Sequence, residues 1–410
     1  MKKIYSVITV AVFIVLIAFF TGFSIFGEKR ETSVNENRAL QQLPALSLSA
    51  INDGSFQKQY NDYLSDQFEF RDFWVKAKSN IMLTLGQKDM NDVYFGSDDY
   101  LIEKYSEADF NKKTIKYNTK TLTKFLNAQA EDGFDVTCAF IPSKGTALKS
   151  KMPKYSSAYD TSYVVDGVKK KCKKGVNFVD LNDTLSQHAD EGIYYKTDHH
   201  WTSLGAYYAY CDIMKASGLE AKTVDIDAFT KTDVTDSFLG STYDKVQIYH
   251  KGDTITKYDS GVNVKVNYHG DMPKSESLYY DKALEGKSKY EYFLGGNYSR
   301  IDIRTDVKNG ETLLLIKDSF SNSLVPFLVN NFRHIIMVDL RFFNGDIYDI
   351  LDEEDISYIF VVFNTEKFMT DEHHEILEPY IEEDKSEEDL EDEELLKELE
   401  REEREQGLID

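Results

Sequence analysis

Five apolar runs, each only six to eight residues long and separated by longer helix-like stretches, constrain this chain more than any other feature. They are Val136–Ile141, Val176–Leu181, Thr312–Lys317, His334–Leu340 and Ile356–Phe363. Several are continuously apolar and rich in Val and Ile, the pattern of strands covered on both faces. Stretches near 115–130, 160–173, 203–217, 322–332 and 345–353 read as helices. This alternation predicts an α/β fold, a parallel sheet with helices on both faces, which binds ligands at the carboxyl ends of its strands.

Residues 221–308 break the pattern. They are rich in Thr, Asp, Lys, Tyr and Gly, with alternating pieces such as Val262–Tyr268, and predict a strand-rich insertion between two halves of the sheet. The main domain is expected over 91–380, behind a helical extension at 31–90. One helix is predicted over Phe56–Leu85, with Tyr60, Leu64, Phe68, Phe73 and Trp74 on its apolar stripe. Residues 381–410 read as an acidic, solvated tail: Glu382–Glu405 holds 15 acids against 4 bases. Over all 410 residues, 71 acidic side chains face 48 basic ones, a net charge of −23. That excludes a nucleic-acid binder, which needs a basic stripe. Cys138, Cys172 and Cys211 are too few for a disulfide framework and lack metal-ligand spacing.

Met1, Lys2 and Lys3 precede an apolar run, Ile4–Phe26. As a helix at ~1.5 Å per residue it would span about 34 Å, enough to cross a bilayer. No clean small-x-small cleavage site follows, so residues 1–30 read as an uncleaved signal anchor and transmembrane helix. The amino terminus is expected inside, with the main domain extracytoplasmic.

Two segments carry candidate chemistry. Tyr194–Tyr210, YYKTDHHWTSLGAYYAY, holds Asp198, His199, His200 and Trp201. A carboxylate beside an imidazole can orient it and make it more basic, as general-base catalysis requires; the competing reading is a helix cap with two hydrogen-bonded histidines. Thr312–Val329, TLLLIKDSFSNSLVPFLV, ends an apolar strand at Lys317-Asp318-Ser319 and turns at once towards a helix. A serine there lies at the carboxyl edge of the sheet, near free backbone N–H groups that can hold an oxyanion. Ser319 is the candidate nucleophile; Ser321 and Ser323 read as caps or first-turn residues. Together Asp198, His200 and Ser319 supply the three parts of an acyl-transfer triad, which geometry rather than chain order defines.

The Asp198–Trp201 quartet, D-H-H-W, resembles the signature of the DHHW family of Gram-positive extracytoplasmic proteins, itself similar to the SGNH-hydrolase-like domains of alginate O-acetylation proteins. The resemblance covers most of residues 90–366, including Val93–Lys104, Phe140–Pro153 and Val338–Phe343. It implies a flavodoxin-like SGNH fold and a Ser-His-Asp triad, with the D-x-H-W pattern falling on Asp198, His200 and Trp201 and the nucleophile on Ser319. Ordinary SGNH esterases place the serine first, so this order implies a permuted variant. The serine block reads KDSF instead of GDS, and no G-x-N-D block supplies a side-chain oxyanion donor. Asn364 and Asn297 are the candidates for that role. Arg341 is a candidate for holding a carboxylate or sugar hydroxyls, or else an ion pair. His199 occupies the variable position of the pattern, and Trp201 either stacks on a sugar or packs in the core.

The implied activity is a membrane-anchored O-acetyltransferase of a cell-surface polysaccharide, served by a membrane O-acyltransferase that exports acetyl groups. It requires no cofactor and no metal. The same triad would also serve a carbohydrate acetylesterase, while a silent triad would leave a non-catalytic glycan-binding scaffold. A metal site at Asp198, His199 and His200 is the remaining alternative, and adjacent histidines rarely close a coordination sphere without a distant ligand.

Overall fold

The apolar stretch behind the first lysines forms one continuous helix, α1 (Lys2–Phe26), in the computed structural model, which describes residues 2–33, 38–270, 272–308 and 310–378. Among the described residues, its segment Ile4–Phe23 is the one helix long and apolar enough to cross a membrane. The acidic tail, 381–410, lies outside the described residues. The described residues divide into two compact units, those within 2–93 together with 241–251, and those within 94–240 together with 252–378.

In the first unit, the single helix expected over Phe56–Leu85 is two: α2 (Ser55–Asp66) and α3 (Arg71–Thr84). Phe70 between them has a φ of 56°, a left-handed conformation through which a right-handed helix cannot continue. Asp66, ending α2, accepts the Gln41 N–H at 2.8 Å and lies 3.7 Å from Arg71 Nε.

The second unit runs α4 (Lys112–Glu131), β1 (Asp135–Ile141), α5 (Ser162–Lys171), β2 (Val176–Asp180), α6 (Ser203–Ala216), β3 (Thr230–Phe238), β4 (Asp253–Asp259), β5 (Val264–Tyr268), β6 (Arg300–Thr305), β7 (Glu311–Lys317), β8 (Phe332–Val338), α7 (Ile347–Glu353), β9 (Tyr358–Asn364) and α8 (Thr365–Thr370). Seven strands form one sheet in the order β5-β6-β8-β7-β9-β1-β2. The five apolar runs supply its parallel part, with Leu315 of β7 in register with Met337 of β8 and Phe360 of β9.

The sheet is mixed, which corrects the expectation of a parallel one. β6 pairs antiparallel with β8, and β5 antiparallel with β6. Both strands come from the predicted insertion, so half of it extends the sheet, while β3 and β4 form a separate antiparallel ribbon. The sequence of β6 explains the difference. Buried Ile301 and Ile303 alternate with polar Asp302 and Arg304, a period-two pattern typical of antiparallel strands with unlike faces.

The buried strand β7 divides the core. Leu313 and Leu315 pack with Tyr210 and Ile213 of α6 on one face, whereas Leu314 and Ile316 pack with Leu122 and Phe125 of α4 and Val168 of α5 on the other. A one-residue slip would exchange these faces, so burial fixes the register. Since β7, β9, β1 and β2 run in the same direction, their carboxyl ends line one edge of the sheet, and that edge delivers Ser319.

Candidate active site

Ser319 opens a 3-10 turn, Ser319–Ser323, immediately beyond β7. The expected helix over 322–332 is shorter than its sequence suggested: the turn passes into a four-residue helix at Val325–Leu328, and β8 begins at Phe332. The cap is Asp318, not one of the serines. Its carboxylate accepts the N–H groups of Phe320 at 2.9 Å and Asn364 at 2.6 Å, tying the turn to the neighbouring strand β9. As first residue of the turn, Ser319 offers a backbone N–H that no intrahelical carbonyl can accept.

Asp198 and His200 lie on a tight loop closed by a bridge between Tyr194 and Trp201 and by the Tyr195 N–H donating to the His200 carbonyl at 3.1 Å. Asp253 of β4 braces this loop, accepting the N–H groups of Lys196 at 2.8 Å and Thr197 at 2.7 Å and the Thr197 hydroxyl. Thr202 then caps α6 by accepting the Gly205 N–H.

The two segments meet across 119 residues of sequence. His200 Nε2 lies 2.8 Å from Ser319 Oγ, and His200 Nδ1 lies 2.5 Å from Asp198 Oδ1, which also accepts the His200 N–H at 3.0 Å. Tyr290 stacks on the His200 ring, with centroids 3.8 Å apart and planes 9° apart, and donates its hydroxyl to the Ser319 carbonyl at 3.1 Å. The imidazole is thereby fixed in both tilt and position. Ser319, His200 and Asp198 are 7%, 6% and 4% exposed, so all three groups are buried, with Ser319 the least so. Burial would raise the Asp198 carboxyl, but the adjoining His199 and His200 imidazoles and the hydrogen bonds from His200 hold it well below the usual carboxylate range. Burial, reinforced by His200, pushes His199 down to about 3, so this ring is neutral at pH 7.

The other sequence candidates have structural partners. The Asn364 amide is committed on both sides: Oδ1 accepts the Lys367 N–H at 3.1 Å, and Nδ2 donates to the Ile141 carbonyl at 3.2 Å. Asn297 Oδ1 accepts from Lys317 Nζ and Asn322 Nδ2. Arg341 forms a two-pronged ion pair with Asp339, at 2.8 and 2.7 Å, and Asp339 also accepts from buried Lys317 at 3.1 Å. Trp201 is fully buried and donates Nε1 to the Phe320 carbonyl and to Ser323 Oγ, leaving no face for a sugar. It pins the turn that presents Ser319. Ligand atoms of Asp198, His199 and His200 lie within 4.8 Å of one another. Both ring nitrogens of His200 are already engaged, so a metal there would have to displace Asp198 or Ser319.

Sequence reasoning missed Asp253, Tyr290 and Gly240. Gly240 abuts Asp198 so closely that a Cβ would lie 2.2 Å from its Oδ2. None of the three sits in a recognisable motif. Asp318 had a legible signal, an acidic residue directly before a helical turn.

A model of the DHHW protein family matches residues 156–338, a segment that holds both the Asp198–His200 loop and Ser319. Among solved structures, a DHHW family protein from Eubacterium siraeum is 22% identical with a TM-score of 0.60, over 70% of this chain and 95% of that one. Bacillus cereus PatB1, solved with a sulfonyl adduct, is 23% identical with a TM-score of 0.57, over 70% of this chain and 99% of that one. The O-acetyltransferase domain of Pseudomonas putida AlgJ is a more distant likeness, at 14% identity and a TM-score of 0.43, over 68% of this chain and 92% of that one. No curated protein matches the chain.

Proposed function

We propose, because a model of the DHHW family matches residues 156–338, that this protein is an O-acetyltransferase of a cell-surface polysaccharide, held to the membrane by α1 with its catalytic unit outside. The observation that carries the proposal is the unbroken line of contacts from Asp198 through His200 to the Ser319 hydroxyl. Spatial order adds support. Counted from β7, the parallel strands lie in the order 2-1-3-4-5, the flavodoxin arrangement, with the chain start moved to the fourth strand. This is the order expected of a permuted SGNH-type domain, whose serine follows the first strand.

The chemistry follows from the positions of these groups. Asp198 fixes the His200 tautomer with a proton on Nδ1 and a lone pair on Nε2 facing Ser319. His200 takes the hydroxyl proton as Ser319 Oγ bonds to an acetyl carbonyl carbon, and the oxyanion forms beside the Ser319 N–H. Collapse expels the donor's leaving group with the proton from His200, leaving acetyl-Ser319. An acceptor sugar hydroxyl then gives its proton to His200 as its oxygen bonds to the acetyl carbon, and collapse breaks the bond to Ser319 Oγ, which takes that proton back from His200. The donor in this scheme is a membrane O-acyltransferase that exports acetyl groups.

Ser319→Ala tests the reading. Loss of p-nitrophenyl acetate hydrolysis and of acetyl transfer by about 1,000-fold or more, with unchanged thermal stability, is expected. A phenylmethylsulfonyl fluoride adduct should form on the wild-type chain and be missing from the variant. Unchanged acetylation by Ser319→Ala would defeat the proposal. Acetate release that no sugar acceptor diverts would make the protein an esterase instead.

A further inference from the structure

The carboxyl edge of the sheet holds a second feature that the triad does not use. A cavity of about 440 Å³ opens where β1, β2 and β9 end, bounded by Pro142 after β1, Asp180 at the end of β2 and Thr365 after β9. Its size falls within the range of small-ligand sites. Strand spacing of ~4.8 Å puts β1 and β2 about 10 and 14 Å along the edge from β7, which carries Ser319. The wall of the cavity also connects to the nucleophile. Thr365 adjoins Asn364, whose N–H is bonded to Asp318, the residue before Ser319. On the other side, the Pro142 carbonyl accepts the hydroxyl of Tyr194, at the root of the Asp198–His200 loop.

The lining specifies a ligand chemistry. Met152 and the Tyr159 ring provide an apolar wall, while Asp160, Asp180, Asn182 and Lys149 provide polar groups around it. Asp160 and Asp180 each commit one carboxylate oxygen to a loop N–H, Ser162 at 3.0 Å and Asn182 at 2.9 Å, which holds them in fixed orientations. Two carboxylates against one ammonium disfavour a phosphate or another anion. An aromatic ring flanked by fixed carboxylates and an amide suits a neutral polyol, with an apolar face to stack and hydroxyls to donate.

Resting on the acetyltransferase reading, we infer that this cavity is a distal glycan subsite, which grips a sugar one or more units away from the one acetylated at Ser319. Contacts remote from the reacting centre then select polymer over short acceptors and hold the reacting sugar in place. The subsite makes a prediction about chain length that the triad alone does not.

The experiment uses the full chain, p-nitrophenyl acetate as donor and chito-oligosaccharides of two and six sugars as acceptors. In Tyr159→Ala and separately in Asp180→Asn, KM for the hexamer should rise about tenfold with kcat unchanged, the loss expected of one packed contact. KM for the dimer and the rate of p-nitrophenyl acetate hydrolysis should not change, and the latter reports an intact fold. Hexamer and dimer moving together, or neither moving, would overturn the inference. Calorimetry separates it from the catalytic proposal. Ser319→Ala should bind the hexamer as the wild type does and Tyr159→Ala about tenfold more weakly; failure of the wild-type chain to bind the hexamer would also overturn the subsite, whatever Ser319→Ala does to hydrolysis.

Discussion

Asp198 is confined on the side away from His200 by a residue with no side chain. A Cβ on Gly240 would lie 2.2 Å from Asp198 Oδ2 and 2.3 Å from Asp198 Cβ, both far inside contact distance. The Gly240 N–H also donates to Thr197 Oγ1 at 3.2 Å, so the backbone cannot easily retreat. Gly240→Ala should therefore displace Asp198 and cost about 100-fold in kcat, the penalty of roughly an ångström of misplacement. Combining it with Asp198→Asn should add little further loss, because both changes act on one contact; additive losses in that cycle would show that Gly240 acts elsewhere. This interaction marks the limit of what the sequence disclosed. Asp198, His200 and Ser319 were legible because D-H-H-W and K-D-S-F are local patterns at predicted element boundaries. Gly240, Asp253 and Tyr290 act through contacts between distant segments, which no local pattern encodes. Asn297, Arg341 and Asn364 were plausible only because they follow glycines or strand ends; the sequence does not say that Asn297 Oδ1 accepts from Lys317, that Arg341 pairs with Asp339, or that Asn364 Nδ2 donates to Ile141.

At the scale of elements, all five parallel strands were legible from continuous apolar runs, because burial on both faces leaves little choice of residue. The antiparallel additions were harder to place. A one-faced strand such as β5 looks the same whether it extends the main sheet or forms a ribbon, and pairing partners are set by the whole fold. The last described turn offers a measurable consequence of burial. His374 begins the turn His374–Leu377, is fully buried, and contacts the rings of Phe363 and Phe368. Burial pushes its imidazole down to about 4, against the opposing effect of Asp371 and with a smaller contribution from His373. The folded state thus prefers the neutral ring. Its contribution to stability is complete above the unfolded pKa near 6.5 and is lost as pH falls towards 4, amounting to about 3 kcal/mol. His374→Leu should flatten the decline in unfolding free energy between pH 7 and 4 by about that amount. His199 shifts in the same direction, so the comparison is between wild type and variant at each pH. Parallel curves for the two proteins would refute the assignment.

For the molecule as a whole, charge and apolar surface act in opposite directions, and this makes the role of α1 testable. A net charge of −23 opposes adhesion of the chain as a whole to anionic lipid. Yet Ile4, Phe13 and Val15 are 63%, 62% and 66% exposed along a helix whose apolar segment, Ile4–Phe23, matches a bilayer's hydrocarbon thickness. Such a surface is stable only in lipid or after removal from the chain. The full-length protein should sediment with membranes, remain there through washes with high salt and alkaline carbonate, and be released only by detergent, with its mass still including residues 2–26. Salt-labile binding would indicate surface attachment, and a soluble product starting beyond residue 26 would identify a cleaved signal. Protease added to intact cells fixes the orientation. With Lys2 and Lys3 retained inside, it should digest the unit that carries Ser319, as the proposed access to a surface polysaccharide requires; protection of that unit until the cells are lysed would place the triad on the wrong side of the membrane for this substrate.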